Sequence, residues 1–426
     1  MSKRRILLAG TLGNALEFYD FTLFGAFAST LANVFFPSED PMISLLSGWI
    51  VFAVGFLMRP FGAALFGYIG DKYGRKKSLT LSLLLMSIPT LIIGTMPGHA
   101  SVGIIAPICI ILCRLLQGIC TGGEYNGAAI FSLEHLGKSH LGLVGGFIGG
   151  SCVLGALTAM GFAYIATKPG MPDWAWRVPF ILGSAVSLLG FYIRKNLTET
   201  PEFQKANTNE TWEQRLSFLK TVKAYKKLIF VTFVIGALNG ILSYTIFGFL
   251  NTYLSGFFNV PINDAIFYNL FGLFTMMLAS PLFGYALDRI GPHKFMTRAC
   301  LTIFVSAIPI FLLFQTNNVS CIIMGQLFLG LLAASFIGPQ HAFVQELFPV
   351  KARFTGIALG FASGMGLCGG FTPYILINIL NDTGFLLAPA LLLMCGSIVC
   401  FIVTRKVKFE MKFAPKQTHF IPKKAA

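Results

Sequence analysis

Charge is what this chain has least of. Of its 426 residues only 12% are Asp, Glu, Lys or Arg, where a soluble domain carries about a quarter. With 55% hydrophobic residues and a mean hydropathy of +0.73, a water-soluble fold of this length is excluded. Acidic residues are scarcer still, 17 against 32 Lys and Arg, for a net charge of +15. The nine cysteines (109, 113, 120, 152, 300, 321, 368, 395 and 400) are an odd set scattered through apolar stretches, which is no disulfide framework. Cys109 and Cys113 share a helical face without a third ligand nearby, so small-residue packing is expected there and no metal. No Gly-x4-Gly-Lys-[Ser/Thr] phosphate loop occurs, which argues against nucleotide-driven work by this chain alone. No nucleophile–base pair or His/Asp/Glu cluster stands out, so neither an enzyme nor a cofactor is expected. The first apolar run carries Glu17 and Asp20 and is followed by no Ala-x-Ala site, as expected of a retained helix and not a signal peptide.

Long apolar runs are abundant. Twelve reach the roughly 20 residues that cross a bilayer, at about 6–36, 42–70, 77–97, 101–126, 139–167, 174–196, 227–255, 262–289, 295–316, 319–346, 352–380 and 384–405. The polar stretch from Asn196 to Lys223 divides them six and six. Within it Trp212, Leu216 and Leu219 have the spacing of a surface amphipathic helix. The expected fold is an all-α integral membrane protein of twelve transmembrane helices in two pseudo-symmetric six-helix halves. The halves are expected at 1–195 and 227–405, with a linker at 196–226 and a tail at 406–426. If the helices alternate, every Lys and Arg except Arg59, Arg114, Lys168 and Arg177 falls on one side. The positive-inside rule assigns that side and both termini to the cytoplasm. The basic excess thus reports topology in a lipid bilayer, and no nucleic-acid partner is expected.

The halves also repeat in sequence. Gly67-Tyr68-Ile69-Gly70-Asp71-Lys72-Tyr73-Gly74 and Gly284-Tyr285-Ala286-Leu287-Asp288-Arg289-Ile290-Gly291 both read G-Y-x-x-D-[KR]-x-G, 217 residues apart. Each sits between two apolar runs and leads into basic residues, Arg75 to Lys77 in the first and His293 and Lys294 in the second. Duplicated membrane halves are the commonest architecture of secondary transporters. Glycines cluster along the fifth run, at 142, 145, 146, 149, 150, 155 and 161, and along the eleventh, at 356, 360, 364, 366, 369 and 370. Small residues let helices touch closely in lipid. Both close packing and a seam that rocks between the halves are consistent with these rows.

These loops resemble the signature of the major facilitator superfamily. Pro349 to Gly356 after Glu346 resembles that superfamily's loop between helices ten and eleven. Three stretches narrow the resemblance to its metabolite:proton symporters: Gly13 to Phe21, Arg114-Leu115-Leu116-Gln117-Gly118 through Glu124-Tyr125, and Trp174 to Phe180 followed by Glu199-Thr200-Pro201-Glu202-Phe203. The second loop signature departs from the pattern, ending Gly291-Pro292-His293. The resemblance implies a secondary active transporter of the bacterial inner membrane. It would couple a proton to a small zwitterionic or carboxylate solute, proline- or betaine-like, by alternating access. Di- and tricarboxylates such as 2-oxoglutarate and citrate are the alternative solutes, and a non-transporting sensor of the same fold is the alternative role.

Charges inside hydrocarbon cost roughly 2.5–3.5 kcal/mol each and need a reason. Glu17 and Asp20 are three residues apart, on one face of the first helix. Arg114, entering from the other side on the fourth, is expected at similar depth. Two close carboxylates raise one proton affinity while a guanidinium lowers it. The three residues are therefore candidates for proton coupling and solute binding, with a static ion pair as the alternative. At an offset of 212 residues Arg114 meets Gln326 and Glu124 meets Phe336, so the second half lacks these charges. Glu124, further along the fourth helix, is a candidate proton exit or gate partner of Arg59 or the Asp71 loop, with a solvated carboxylate at the helix end as the alternative. Asn14, Tyr19 and Gln117, with Trp49, Tyr125 and Asn239, are candidate cavity residues. Gly67, Asp71, Gly74, Arg75, Glu134, Asp288, Glu346 and Arg353 are candidates for a gating latch at the cytoplasmic ends.

Overall fold

The computed structural model describes residues 3–136, 140–195, 199, 218–348 and 350–407, and every regular element among them is helical. In the first half these are α1 (Lys3–Ala26), α2 (Ala28–Phe35), α3 (Pro41–Leu57), α4 (Arg59–Tyr73), α5 (Arg75–Thr95), α6 (His99–Val102), α7 (Ile105–Leu136), α8 (Leu141–Ala166) and α9 (Arg177–Lys195). In the second they are α10 (Phe218–Tyr244), α11 (Leu250–Phe257), α12 (Ile262–Ile290), α13 (Pro292–Gln315), α14 (Val319–Ile337), α15 (Gln340–Leu347), α16 (Val350–Gly364), α17 (Gly370–Thr383) and α18 (Ala388–Lys406). A π-helical turn, Thr245–Phe249, joins α10 to α11, and another, Met365–Gly369, joins α16 to α17.

Among the described residues ten helices are long and apolar enough to cross a membrane, and Arg177–Tyr192 is a shorter apolar one. The charged first rod, α1 with α2, completes the twelve expected spans. The exposure pattern is that of a membrane protein. Leu282 is 70% exposed and Val305 64%, while Asn14 and Asn239 are fully buried. This is a multi-pass membrane protein.

The sequence dictates the breaks. Pro60 cannot donate a helical hydrogen bond, and α3 gives way to α4 next to it at Met58. Pro339 does the same between α14 and α15. The last glycine of each loop signature adopts positive φ, 106° at Gly74 and 92° at Gly291, and the next helix starts immediately after it. A side chain there would be strained, which accounts for the glycine at that place in both repeats. The predicted surface helix at Trp212 and Leu216 and the tail beyond Val407 lie outside the described residues. Leu219 falls in the first turn of α10, whose backbone leaves helical geometry at Tyr225 (φ −110°, ψ 20°).

Two seams join the halves. α8 packs along α12, and α3 and α4 pack against α16 and α17. Glycine makes the first seam possible. A Cβ on Gly142 would strike the Gly284 carbonyl, and one on Gly146 would lie 2.5 Å from the Ser280 carbonyl. In the second seam a Cβ on Gly366 would lie 2.8 Å from the Phe56 carbonyl and one on Gly370 would lie 2.6 Å from the Phe56 ring. Gly360 and Gly364, by contrast, pack inside the second half against α10, and Gly155 packs on Ala15 of α1.

Candidate functional site

The buried polar layer of the first half is organised by α7. Gly55 and Gly118 let α3 and α7 meet backbone to backbone, which holds Arg114, fully buried, beside α1 and α3. Its guanidinium carbon lies 4.4 Å from the Phe24 ring centre, 4.7 Å from Phe21 and 5.2 Å from Phe52. Aromatic faces attract a cation, the more so without water. A guanidinium can only donate hydrogen bonds. Gln117, one turn on, therefore turns its Oε1 to Arg114 Nη1 at 2.8 Å and its Nε2 to Thr90 Oγ1 at 3.0 Å. The Thr90 hydroxyl has one proton to give, either to Asp20 Oδ2 at 3.2 Å or to the Met86 carbonyl at 3.0 Å. Ser187 donates to the same carboxylate oxygen at 3.4 Å. When Thr90 gives its proton to Asp20, the donations run one way, from Arg114 through Gln117 and Thr90 to the carboxylate. Asp20 and Arg114 are thus joined through two neutral side chains, within electrostatic range of one another.

Arg59 is the second buried guanidinium, and it reaches the other half. Nη2 donates to the Tyr244 hydroxyl at 3.2 Å and Nη1 to Met365 Sδ at 3.3 Å. Its guanidinium carbon is 4.6 Å from the Phe21 ring and 4.3 Å from the Phe56 ring. Phe21 therefore touches both guanidiniums. Tyr244 directly precedes one π turn and Met365 opens the other. Such turns are uncommon and concentrate at functional sites. Arg59 Nε and Arg114 Nε have no hydrogen-bond partner among the described residues, and the bonds both groups make go to an amide, a carbonyl, a phenol and a thioether. Glu17 is buried and within electrostatic range of Tyr244.

Other predicted residues face elsewhere. Asn14 donates to Cys152 Sγ at 2.9 Å and to the Ile148 carbonyl at 3.3 Å, both on α8. Tyr19 donates to the Pro179 carbonyl of α9 at 2.8 Å. Trp49 is buried edge-on to Phe52. The side chains of Glu124, Tyr125, Glu134, Asp71 and Arg75 lie outside the described residues. Among the described residues the buried charged side chains, Glu17, Asp20, Arg59, Arg114 and Arg194, all belong to the first half, in line with the charge asymmetry of the repeats. The sequence shows Arg59 in a helix without a partner in the second half, and Phe21 only as the end of the Gly13 to Phe21 stretch. Thr90, Tyr244 and Met365 stand in uniformly apolar runs, where nothing marks them except the glycines crowding the second π turn.

At the ends carrying the basic loops, Asp288 caps a helix of the opposite half. Its Oδ1 accepts from Gly142 N–H at 2.7 Å and its Oδ2 from Leu143 N–H at 2.9 Å, at the start of α8. A carboxylate there satisfies free donors and meets the positive end of the helix dipole. Glu346 is partly buried within electrostatic range of Asp288. Glu199 accepts from Lys76 N–H at 3.2 Å and does the same for α5. At the far end Arg177 donates to the Gly94 and Met96 carbonyls at 3.2 and 2.6 Å, closing α5. Also at that end, Asn263 of α12 donates to the Tyr164 carbonyl of α8 at 2.8 Å. The α8–α12 seam is closed at both ends.

The sequence and fold have recognisable relatives. The Major Facilitator Superfamily profile matches residues 11–373. The proline/betaine transporter of Escherichia coli K12 is 31% identical over 411 residues, covering 94% of this chain and 82% of that protein. The glycine betaine/proline/ectoine/pipecolic acid transporter OusA of Dickeya dadantii is 30% identical over 408 residues, 93% of this chain and 81% of that one. A crystal structure of a D-xylose-proton symporter superposes with a TM-score of 0.74 at 16% identity, over 95% of this chain and 98% of that one. With a family profile matching most of its length and carriers 30–31% identical across more than nine-tenths of it, the chain belongs to the major facilitator superfamily.

Proposed function

We propose that this protein is a proton-coupled symporter of a small zwitterionic or carboxylate metabolite, proline- or betaine-like, working by alternating access. One observation carries the solute class. Among the described residues two buried guanidiniums, Arg59 and Arg114, share the Phe21 ring, leave both Nε groups unpartnered and donate hydrogen bonds to neutral acceptors. Neither is hydrogen-bonded to a carboxylate of the described residues, and a solute carboxylate between the halves would add such charge-assisted bonds. The Phe and Tyr rings around it suit the cationic end of a zwitterion. The names of the relatives from Escherichia coli and Dickeya dadantii support the same solute class. The pair of guanidiniums also favours a second reading, a di- or tricarboxylate such as 2-oxoglutarate or citrate.

Asp20, at the end of the donor chain, is assigned the transported proton, and Glu17 stands beside the solute. Protonated, Asp20 is a weaker acceptor. Thr90 then turns to the Met86 carbonyl, and the hold of Gln117 on Arg114 relaxes. Both termini, the 196–226 linker and the Asp71 and Asp288 loops are assigned to the cytoplasm of a bacterial inner membrane, the linker dividing the halves 1–195 and 227–405. The test is uptake of proline, betaine, 2-oxoglutarate and citrate by proteoliposomes under an imposed pH gradient. Accumulation of one of them that collapses with the gradient supports the reading; no accumulation of any defeats it.

A further inference from the structure

A small, mostly apolar cavity into which a few polar side chains reach lies between the halves, away from the charged layer. Ile130 of α7 walls it from the first half, and Gln340, His341 and Gln345 of α15 with Ile357 and Phe361 of α16 wall it from the second. Ala129 of the same wall is 15 residues past Arg114, roughly 22 Å along the helix, toward the end that carries the basic loops. Gln340 is 0% exposed, and neither its Nε2 nor its Oε1 has a hydrogen-bond partner among the described residues. Gln345 is 6% exposed and its Nε2 is likewise unpartnered. His341 lies over the Phe361 ring, 6.4 Å between centres. Leaving a buried amide group unpaired costs about 1–3 kcal/mol, so packing alone gives no reason for two glutamines here. Among the described residues no lining side chain is a carboxylate, a lysine or an arginine.

We propose that this cavity is a release-side station for the solute, where the Gln340 and Gln345 amides hydrogen-bond the carboxylate after it leaves Arg59 and Arg114. The inference rests on the transport reading above. Neutral donors suit the role. They hold an anion far less tightly than two guanidiniums, so the solute steps down in affinity toward the exit. The cavity is walled by both halves, so parting of α7 from α15 and α16 at this end widens it. Pro339, at the break before α15, lets this short segment move apart from α14.

The experiment compares the two faces of the same protein. Gln340→Met and Gln345→Met, singly and together, keep side-chain length and helical preference while removing the amides. In proteoliposomes of known orientation, KM is measured for the transported solute entering from the basic-loop face and from the opposite face. The ratio of the first to the second is expected to rise by about tenfold in each single variant and by roughly a hundredfold in the double variant, from one and two lost bonds to a charged group. An unchanged ratio, whether neither KM moves or both move equally, overturns the station. Wild-type protein that transports none of the four solutes overturns the transport reading and this inference with it, which sets that failure apart.

Discussion

The Asp288 carboxylate of α12 accepts the Gly142 N–H of α8 at 2.7 Å, tying the second half to a helix start in the first. With the companion bond from Leu143 at 2.9 Å, it holds the basic-loop end of the seam shut. Asp288→Asn removes the charge that meets the helix dipole, a loss of about 1 kcal/mol. That is enough to shift a two-state balance about fivefold toward the state open at this end. Maximal transport rate should fall by about that factor with KM little altered. Unchanged turnover in a well-expressed variant leaves the carboxylate only its place in the turn.

The glycine seam makes a separate prediction about stability. In Gly284→Ala the new methyl would run into the Gly142 carbonyl, backbone against backbone. Such overpacking costs about 1–3 kcal/mol, and the melting temperature in detergent should drop by a few degrees. Gly161→Ala, with nothing within 4 Å of the added atom, should melt as the wild type does. Equal melting of both variants would mean that the seam is not held this close.

Arg59 is expected to bind solute. Arg59→Lys keeps the charge but loses the planar fork that can grip a carboxylate and still reach Tyr244. KM should rise by about tenfold or more, from bonds to charged groups worth about 1.5–3 kcal/mol. Tyr244→Phe, which removes only the phenol 3.2 Å from Arg59, should raise KM less. A near-native KM in Arg59→Lys would move the solute elsewhere.

The architecture was legible in the chain because lipid imposes simple rules. Apolar runs of bilayer length, the repeated Gly67 and Gly284 loops and the one-sided basic residues led to the twelve-helix fold. The glycine of each signature is explained by its positive φ at Gly74 and Gly291. The site was only partly legible. Glu17, Asp20, Arg59 and Arg114 announce themselves, because a buried charge is costly. The order in which they connect does not, because helix rotation decides it. Asn14 and Tyr19, five residues apart on α1, turn to α8 and to α9. Thr90 joins Gln117 to Asp20, yet a threonine in an apolar run reads as filler. Tyr244 and Met365 meet Arg59 from the other half, a contact no local pattern encodes.

The donor chain predicts a signed change with pH. Thr90→Val keeps shape but removes the hydroxyl that accepts from Gln117 and donates to Asp20. The Asp20 carboxylate then loses a donor. The external pH of half-maximal uptake should shift to the alkaline side, with the solute's KM at low pH changed little. A profile that stays in place would mean that Thr90 does not report on the proton site.

Asp20→Asn tests the account at its centre, since Asn keeps the size of Asp and has no proton that ionises near neutral pH. In proteoliposomes under an imposed pH gradient, this variant should accumulate no solute above the external concentration. Exchange of labelled for unlabelled solute should continue in the same vesicles, because binding and rocking need no net proton movement. Gradient-driven accumulation at the wild-type level by Asp20→Asn would contradict the account.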